Sequence, residues 1–198
     1  MQFDEDSRVF SFQKEGPLDM RMDSTAPVTA FDVVNKCSEG ELGSMLRDLG
    51  EERLWRKGAK AIVEARKKKT ILTTKDLSNV IEKSIRRVGK THPATKIFQA
   101  IRIYVNKELE TIEGSIKKAI HLLAPGGKVG VLSFHSLEDR IVKNVFRAAA
   151  LPTKNLNGKV LSESVIENLT KKPICPTRKE IKINRRSRSA KLRFAKKK

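Results

Sequence analysis

Four stretches of the 198-residue chain hold more polar and ionisable side chains than helical periodicity or solvation requires. They are Gly16 to Asp23, Gly50 to Arg53, His92 to Arg102 with Asn106, and Ser133 to Arg140. Ser133, His135 and Ser136 lie close enough in sequence to raise nucleophilic hydrolysis, but adjacent residues on an extended segment point to opposite faces. The chain also has no Gly-x-Ser-x-Gly elbow to expose a nucleophile. Glu138 and Asp139 fail as an acid/base pair because helix neighbours do not face each other. Phe134-His135-Ser136 falls where a strand is expected to end, the place where open α/β sheets put functional groups. The same residues fit a helix N-cap, Ser136 with Asp139 three residues on, and both roles can hold together.

The elements that must position these residues follow from period and punctuation. Ser38 with Glu41 is a capping box, followed by Leu42, Met45, Leu46 and Leu49 and closed by Gly50, which predicts a short amphipathic helix. A second is expected from about Glu51 to Lys69 on the stripe Leu54, Gly58, Ile62 and Ala65. A third follows Thr74 with Leu77, Val80, Ile81 and Ile85. After Pro93 a longer pattern runs through Ile97, Ile101, Val105 and Leu109, continues or restarts to Leu123, and stops at Pro125-Gly126-Gly127. Val129 to Phe134 then has the form of a strand buried on both faces of a parallel sheet, and a helix with Leu137, Ile141, Val145 and Phe146 follows. Ala190, Leu192 and Phe194 alternate with Lys191, Arg193 and Ala195, which suggests a half-exposed antiparallel edge strand.

Charge narrows the partner. The chain has 42 Lys and Arg against 23 Asp and Glu, a net of +19, and ten of those charges fall between Arg178 and Lys198. A local excess of this kind points to a polyanion, although a solubilising tail has the same composition. No run of about 18 apolar residues and no basic leader is present, so a cytoplasmic protein is expected. Cys37 and Cys175 lack companions at ligand spacing, which argues against a zinc site or a disulfide framework and for ordinary buried or half-buried thiols.

Six segments in order resemble one family, the ribosomal RNA small subunit methyltransferase H or MraW family. They are Gly16 to Asp23, Gly50 to Arg53, His92 to Arg102 with Asn106, Pro125-Gly126-Gly127, Ser133 to Lys143, and Arg186 to Arg193. The resemblance implies an rRNA (cytosine-N4-)-methyltransferase that uses S-adenosylmethionine to modify a cytidine in the decoding region of small-subunit (16S) ribosomal RNA. It implies an α/β fold, a Rossmann-like methyltransferase domain carrying an inserted all-helical substrate-recognition domain. On this chain that assigns 1–26 to a methyltransferase remnant with an active-site loop, 27–92 to the helical insertion, and 93–198 to the C-terminal part of the Rossmann-like domain with its basic tail.

The departures from the family pattern matter as much as the match. Members carry a glycine-rich turn, an acidic residue and an Asp-Leu-Gly-Val-Ser-Ser-x-Gln segment, of which Met1-Gln2 matches only the last two positions. Gln2 is thus the one cofactor contact that carries over, and the Rossmann-like domain is expected to be incomplete. Val9 also stands where the family usually has Gly. Transfer to an exocyclic amine needs hydrogen-bond acceptors for the amino group rather than a strong base. By position Asp19 and Asp23 are expected to line the target pocket with His135 and Ser136 opposite, while local pairing to Arg21 and helix capping compete for the same side chains. Arg21, Arg102, Asn106, Arg140, Arg186 and Arg188 are the candidate RNA contacts. The alternative is a non-catalytic, basic RNA-binding remnant whose partner is the same ribosomal RNA or small subunit.

Overall fold

The structure is a computed structural model that describes residues 15–86, 92–154 and 159–198. Gln2 and Val9 lie outside the described residues. The chain divides into two compact units, Met1–Glu108 and Leu109–Lys198.

The first unit is helical. Its elements are α1 (Ala30–Lys36), α2 (Glu39–Asp48), α3 (Trp55–Lys68), α4 (Thr74–Ser84) and α5 (Ala94–Asn106). Three N-termini carry full capping boxes, Thr29 with Asp32, Ser38 with Glu41, and Thr73 with Asp76, so each helix start is fixed by its own sequence. The side-chain oxygens of these boxes satisfy amides that the helix geometry leaves unpaired. Leu42, Leu46, Ile62, Leu77 and Ile81 form the core with Ile97, Phe98 and Ile101 of α5. α5 packs on α1, α2 and α4. It therefore belongs with the helical unit, which runs to Glu108. The apolar face of α5 has its partners in the helices before it, which a periodic pattern alone does not reveal.

Between α2 and α3, Gly50 sits where a Cβ would come within 2.7 Å of both the Leu46 and Lys96 carbonyl oxygens, so only glycine lets the turn approach α5. α3 consequently begins at Trp55, later than the expected Glu51. The helical pattern after Pro93 restarts: Lys107 adopts a left-handed conformation (φ 49°, ψ 37°) that ends α5.

The second unit contains α6 (Glu108–Leu122, from Leu109 on), β1 (Lys128–Ser133), α7 (Ser136–Ala149), a small hairpin of β2 (Thr153–Lys154) and β3 (Val160–Ser162), β4 (Ile166–Asn168), α8 (Arg178–Ile183), a 3-10 turn (Arg185–Ser189) and β5 (Lys191–Lys197). Gly126, at φ +81°, makes the helix-to-strand turn between α6 and β1. β1, β5 and β4 form one sheet in that order, with β5 antiparallel to both neighbours. The core under it is Ile116, Ile120, Val142, Val145, Phe146, Ile166 and Ala195.

Two strand expectations are corrected here. β1 is not buried on both faces of a parallel sheet: it pairs antiparallel with β5, and exposed and half-buried residues alternate along it up to the buried Ser133. β5 is central rather than an edge, and its buried side chains are Arg193 and Ala195 instead of Leu192 and Phe194. The period of two was legible, but the inward face was inverted, because Arg193 finds a carboxylate inside.

Candidate functional site

In the helical unit the candidate residues are gathered by the loop from Gly16 to Ala26. The loop is tied to the start of α4 by Leu18 N–H to Leu72 O (3.2 Å) and Thr74 N–H to Gly16 O (3.0 Å). It is tied to α1 by Ala30 N–H to Asp19 O (2.7 Å) and Phe31 N–H to Leu18 O (2.6 Å). Leu18 and Met20 are buried beneath it, and Met20 takes a left-handed φ of 59°. A non-glycine residue holds that conformation only where its surroundings enforce it.

Asn106, at the end of α5, supplies much of that enforcement. Its Oδ1 accepts from Met22 N–H at 2.6 Å, and its Nδ2 donates to Met20 O at 2.8 Å and Arg102 O at 2.9 Å. The amide expected to touch RNA is thus engaged by backbone on both sides of Arg21. Arg21 is similarly occupied: Nε and Nη2 bond Asp19 at 2.7 and 2.9 Å, and Nη1 donates to Ser24 O and Ala26 O at 2.7 and 2.8 Å. The Asp19 hydrogen bond leads the causes that raise the Arg21 pKa. Asp23 turns the loop at its exposed tip, its Oδ1 accepting from Thr25 N–H and Oγ1 at 2.9 and 2.7 Å. Arg102 forms a bidentate pair with Glu108, at 2.8 and 3.0 Å. The outcome is a rigid loop that displays two carboxylates, with Arg21 as its internal brace.

In the second unit, His135 rather than Ser136 is the N-cap of α7. Its Nδ1 accepts from Glu138 N–H at 3.4 Å, while Glu138 Oε2 accepts from the amides of Phe134 (2.7 Å) and His135 (3.3 Å). The expected Ser136 and Asp139 box is therefore displaced by one residue: Ser136 is the first helical residue, and Asp139 is drawn into the core by Arg193. Burial pushes the Glu138 carboxyl up, but the adjoining His135 ring and the amides of Phe134 and His135 outweigh it and hold it below the ordinary range. His135 Nε2 is buried 3.1 Å from Glu138 Oε1, off the line of a hydrogen bond. Arg140 is exposed on α7, and Arg186 and Arg188 are exposed on the 3-10 turn that Asn184 caps. Cys37 is half-buried, whereas Cys175 is exposed, contrary to the expectation of two sheltered thiols.

The side chains missed from sequence are those that hold others in place. The His-x-x-Glu spacing at 135 and 138 is a capping-box spacing with histidine in the serine position, and it was open to recognition on that ground. Nothing local marks Asn106 as a clamp, because the loop residues it holds, Met20 and Met22, are about 85 residues away.

The fold is one of mixed helices and small antiparallel sheets. The chain belongs to the MraW methylase family, whose model matches residues 1–198. It is 56% identical over 193 residues to the ribosomal RNA small subunit methyltransferase H of Persephonella marina, covering 96% of this chain and 62% of that protein. The proteins of the same name from Protochlamydia amoebophila and Caldicellulosiruptor saccharolyticus are 50% and 48% identical, with 99% and 100% of this chain and 64% and 66% of theirs covered. The chain thus spans a little under two thirds of the length of these relatives. Among the described residues, no helix is long and apolar enough to cross a membrane.

Proposed function

We propose that this chain is the RNA-handling part of an S-adenosylmethionine-dependent methyltransferase that modifies N4 of a cytidine in the decoding region of small-subunit ribosomal RNA. The names of the relatives support the substrate, and the braced loop from Gly16 to Ala26 is the observation that carries the chemistry. The cytidine amine is a weak nucleophile because its lone pair is delocalised into the ring. Acceptors fixed beside it draw its protons and free that lone pair without reorganisation cost at the moment of reaction. Asp19 and Asp23 are the acceptors we assign, and the pinning by Asn106 keeps them in place. His135 and Ser136, at the end of β1, are the second set of candidate groups. A base acted on in folded RNA leaves its stack, and the helical unit is the element we assign to substrate recognition, as an insertion in the methyltransferase domain.

S-adenosylmethionine supplies the electrophilic methyl group. Among the described residues no glycine-rich turn follows a strand, and the turn after β1 is closed by the His135–Glu138 cap, so a donor cradle does not fit there. The contribution derived for these residues is therefore to the RNA acceptor.

Calorimetry with S-adenosylmethionine, together with transfer of a labelled methyl group to unmodified small subunits, tests the reading. Transfer that Asp23→Ala abolishes while RNA binding persists is the expected result. Selective RNA binding without donor binding or transfer would favour the second reading, a basic RNA-binding protein, which the net charge of +19 supports. Absence of selective binding to the decoding-region RNA overturns both.

A further inference from the structure

The outer arc of α3 carries a cationic strip that the candidate site does not use. At about 100° per residue, Arg56, Lys67, Lys60, Lys57 and Lys68 fall within an arc of about 120°, opposite the buried Gly58, Ala59 and Ile62. All five are exposed, and along the helix they span about 18 Å. The one acid among them, Glu64, lies 3.8 Å from Lys60 in a surface pair. Lys67 and Lys68 stand in the last turn, where cations complement the helix dipole. Arg56 and Lys57 stand in the first turn, where they oppose it and no acid accompanies them. The helix dipole gains nothing from those two: Arg56 is held by the Trp55 ring, and Lys57 is left to an external anion.

The strip ends at an aromatic ring. Trp55 lies on Gly43 of α2, where a Cβ would come within 2.8 Å of the ring, and the Arg56 guanidinium covers the ring at 4.1 Å from its centroid. Arg47 approaches at 5.5 Å. Glu39, Gly40, Arg56, Lys57 and Lys60 line a cleft of about 390 Å³ beside the ring. An aromatic and guanidinium stack beside a cleft, at the end of a row of cations, is an arrangement that can hold a splayed base while its neighbouring phosphates are neutralised.

We infer that the exposed arc of α3 docks single-stranded RNA, its lysines on successive phosphates and one unpaired base entering the cleft at Trp55. The inference rests on the reading of the chain as an RNA-modifying protein and adds to it a second RNA contact, away from the braced loop. Charge complementarity commits it to a polyanion, and the aromatic stack commits it to one with bases.

Trp55 is the only tryptophan in the chain, so its fluorescence reports this cleft alone. Titration of the full chain with single-stranded oligouridylate should quench that emission in step with the rise in anisotropy of a labelled RNA. Heparin, a polyanion without bases, should bind without equal quenching. Replacing Lys57, Lys60, Lys67 and Lys68 by Gln should lower the slope of log affinity against log salt by roughly 2 to 3, from about 0.7 per phosphate contact. Lys118→Gln, an exposed cation of α6, serves as control, and circular dichroism verifies folding of each variant. Equal quenching by heparin, or by an acidic peptide, overturns the base site. RNA binding with unchanged emission and an unchanged slope overturns the α3 inference and leaves the proposed function standing. Failure to bind any RNA overturns both.

Discussion

Arg193 of β5 and Asp139 of α7 meet through two hydrogen bonds, Nε to Oδ1 at 2.6 Å and Nη2 to Oδ2 at 3.1 Å, with side chains only 7% and 11% exposed. Lys191 adds a third cationic contact at 3.4 Å. The pair fastens the helix after β1 to the centre of the sheet. Its geometry is that of a bidentate clamp, in which direction as well as charge is specified.

Removal of one partner should therefore cost far more than removal of both. Asp139→Asn leaves a buried guanidinium uncompensated and is expected to destabilise the second unit by about 3 to 5 kcal/mol, while Asp139→Leu combined with Arg193→Met should be much closer to neutral. The hydrogen bond from Arg193, outweighing burial, holds the Asp139 carboxyl below its ordinary value of 3.8. A carboxylate depressed on folding contributes stability that is present above its unfolded pKa and lost as the pH falls through the folded value. Acidification below about pH 4 should loosen β5 in the parent and much less in the double variant. Hydrogen exchange of the β5 amides across a pH series measures both effects, and equal acid sensitivity in the two proteins would exclude this pair as the cause.

Asn106→Ala removes three hydrogen bonds, among them those to the Met22 amide and the Met20 carbonyl. A loss of about 1 to 3 kcal/mol is expected, concentrated in the loop because the rest of the core is untouched. The left-handed φ at Met20 then lacks its support, and trypsin should cleave after Arg21 many times faster than in the parent. Asn106→Asp keeps an acceptor for Met22 N–H but sets a carboxylate against the Met20 carbonyl, so it should rescue the cleavage rate only in part. If both variants resist trypsin as the parent does, the clamp is not what holds the loop.

How far the sequence carried these conclusions depended on the range of the interactions. The starts of α2 and α4 were legible from Ser38 with Glu41 and from Thr74 and its apolar stripe, because a cap and an amphipathic face lie within a few turns of chain. The inward face of β5 was not legible. Hydrophobicity placed Leu192 and Phe194 inside, while the ion pair with Asp139, 54 residues away, turned Arg193 inward instead. The N-cap of α7 was missed by one residue because histidine and serine both accept from an amide, and only Glu138 reaching back decides between them. At the loop, the composition of Gly16 to Asp23 marked a candidate segment. The commitment of Arg21 to Ser24 and Ala26, and of Asn106 to Met20 and Met22, depended on a fold that local sequence does not encode.

β1 lies at one end of the order β1-β5-β4, and among the described residues only β5 pairs with it. Its outward face carries Leu132 at 53% exposure, and Phe134 just beyond is 51% exposed. An edge that combines open backbone groups with large apolar side chains is a template for pairing with another strand. The isolated chain should therefore elute from gel filtration as more than a monomer at micromolar concentration and move toward monomer on dilution. Leu132→Lys places a charge on that edge without disturbing the core side of β1 and should shift the elution to the monomer. Far-ultraviolet circular dichroism of the variant should match the parent. A parent that remains monomeric throughout, or a variant that associates as strongly, would mean that this edge is protected by means other than its own charge.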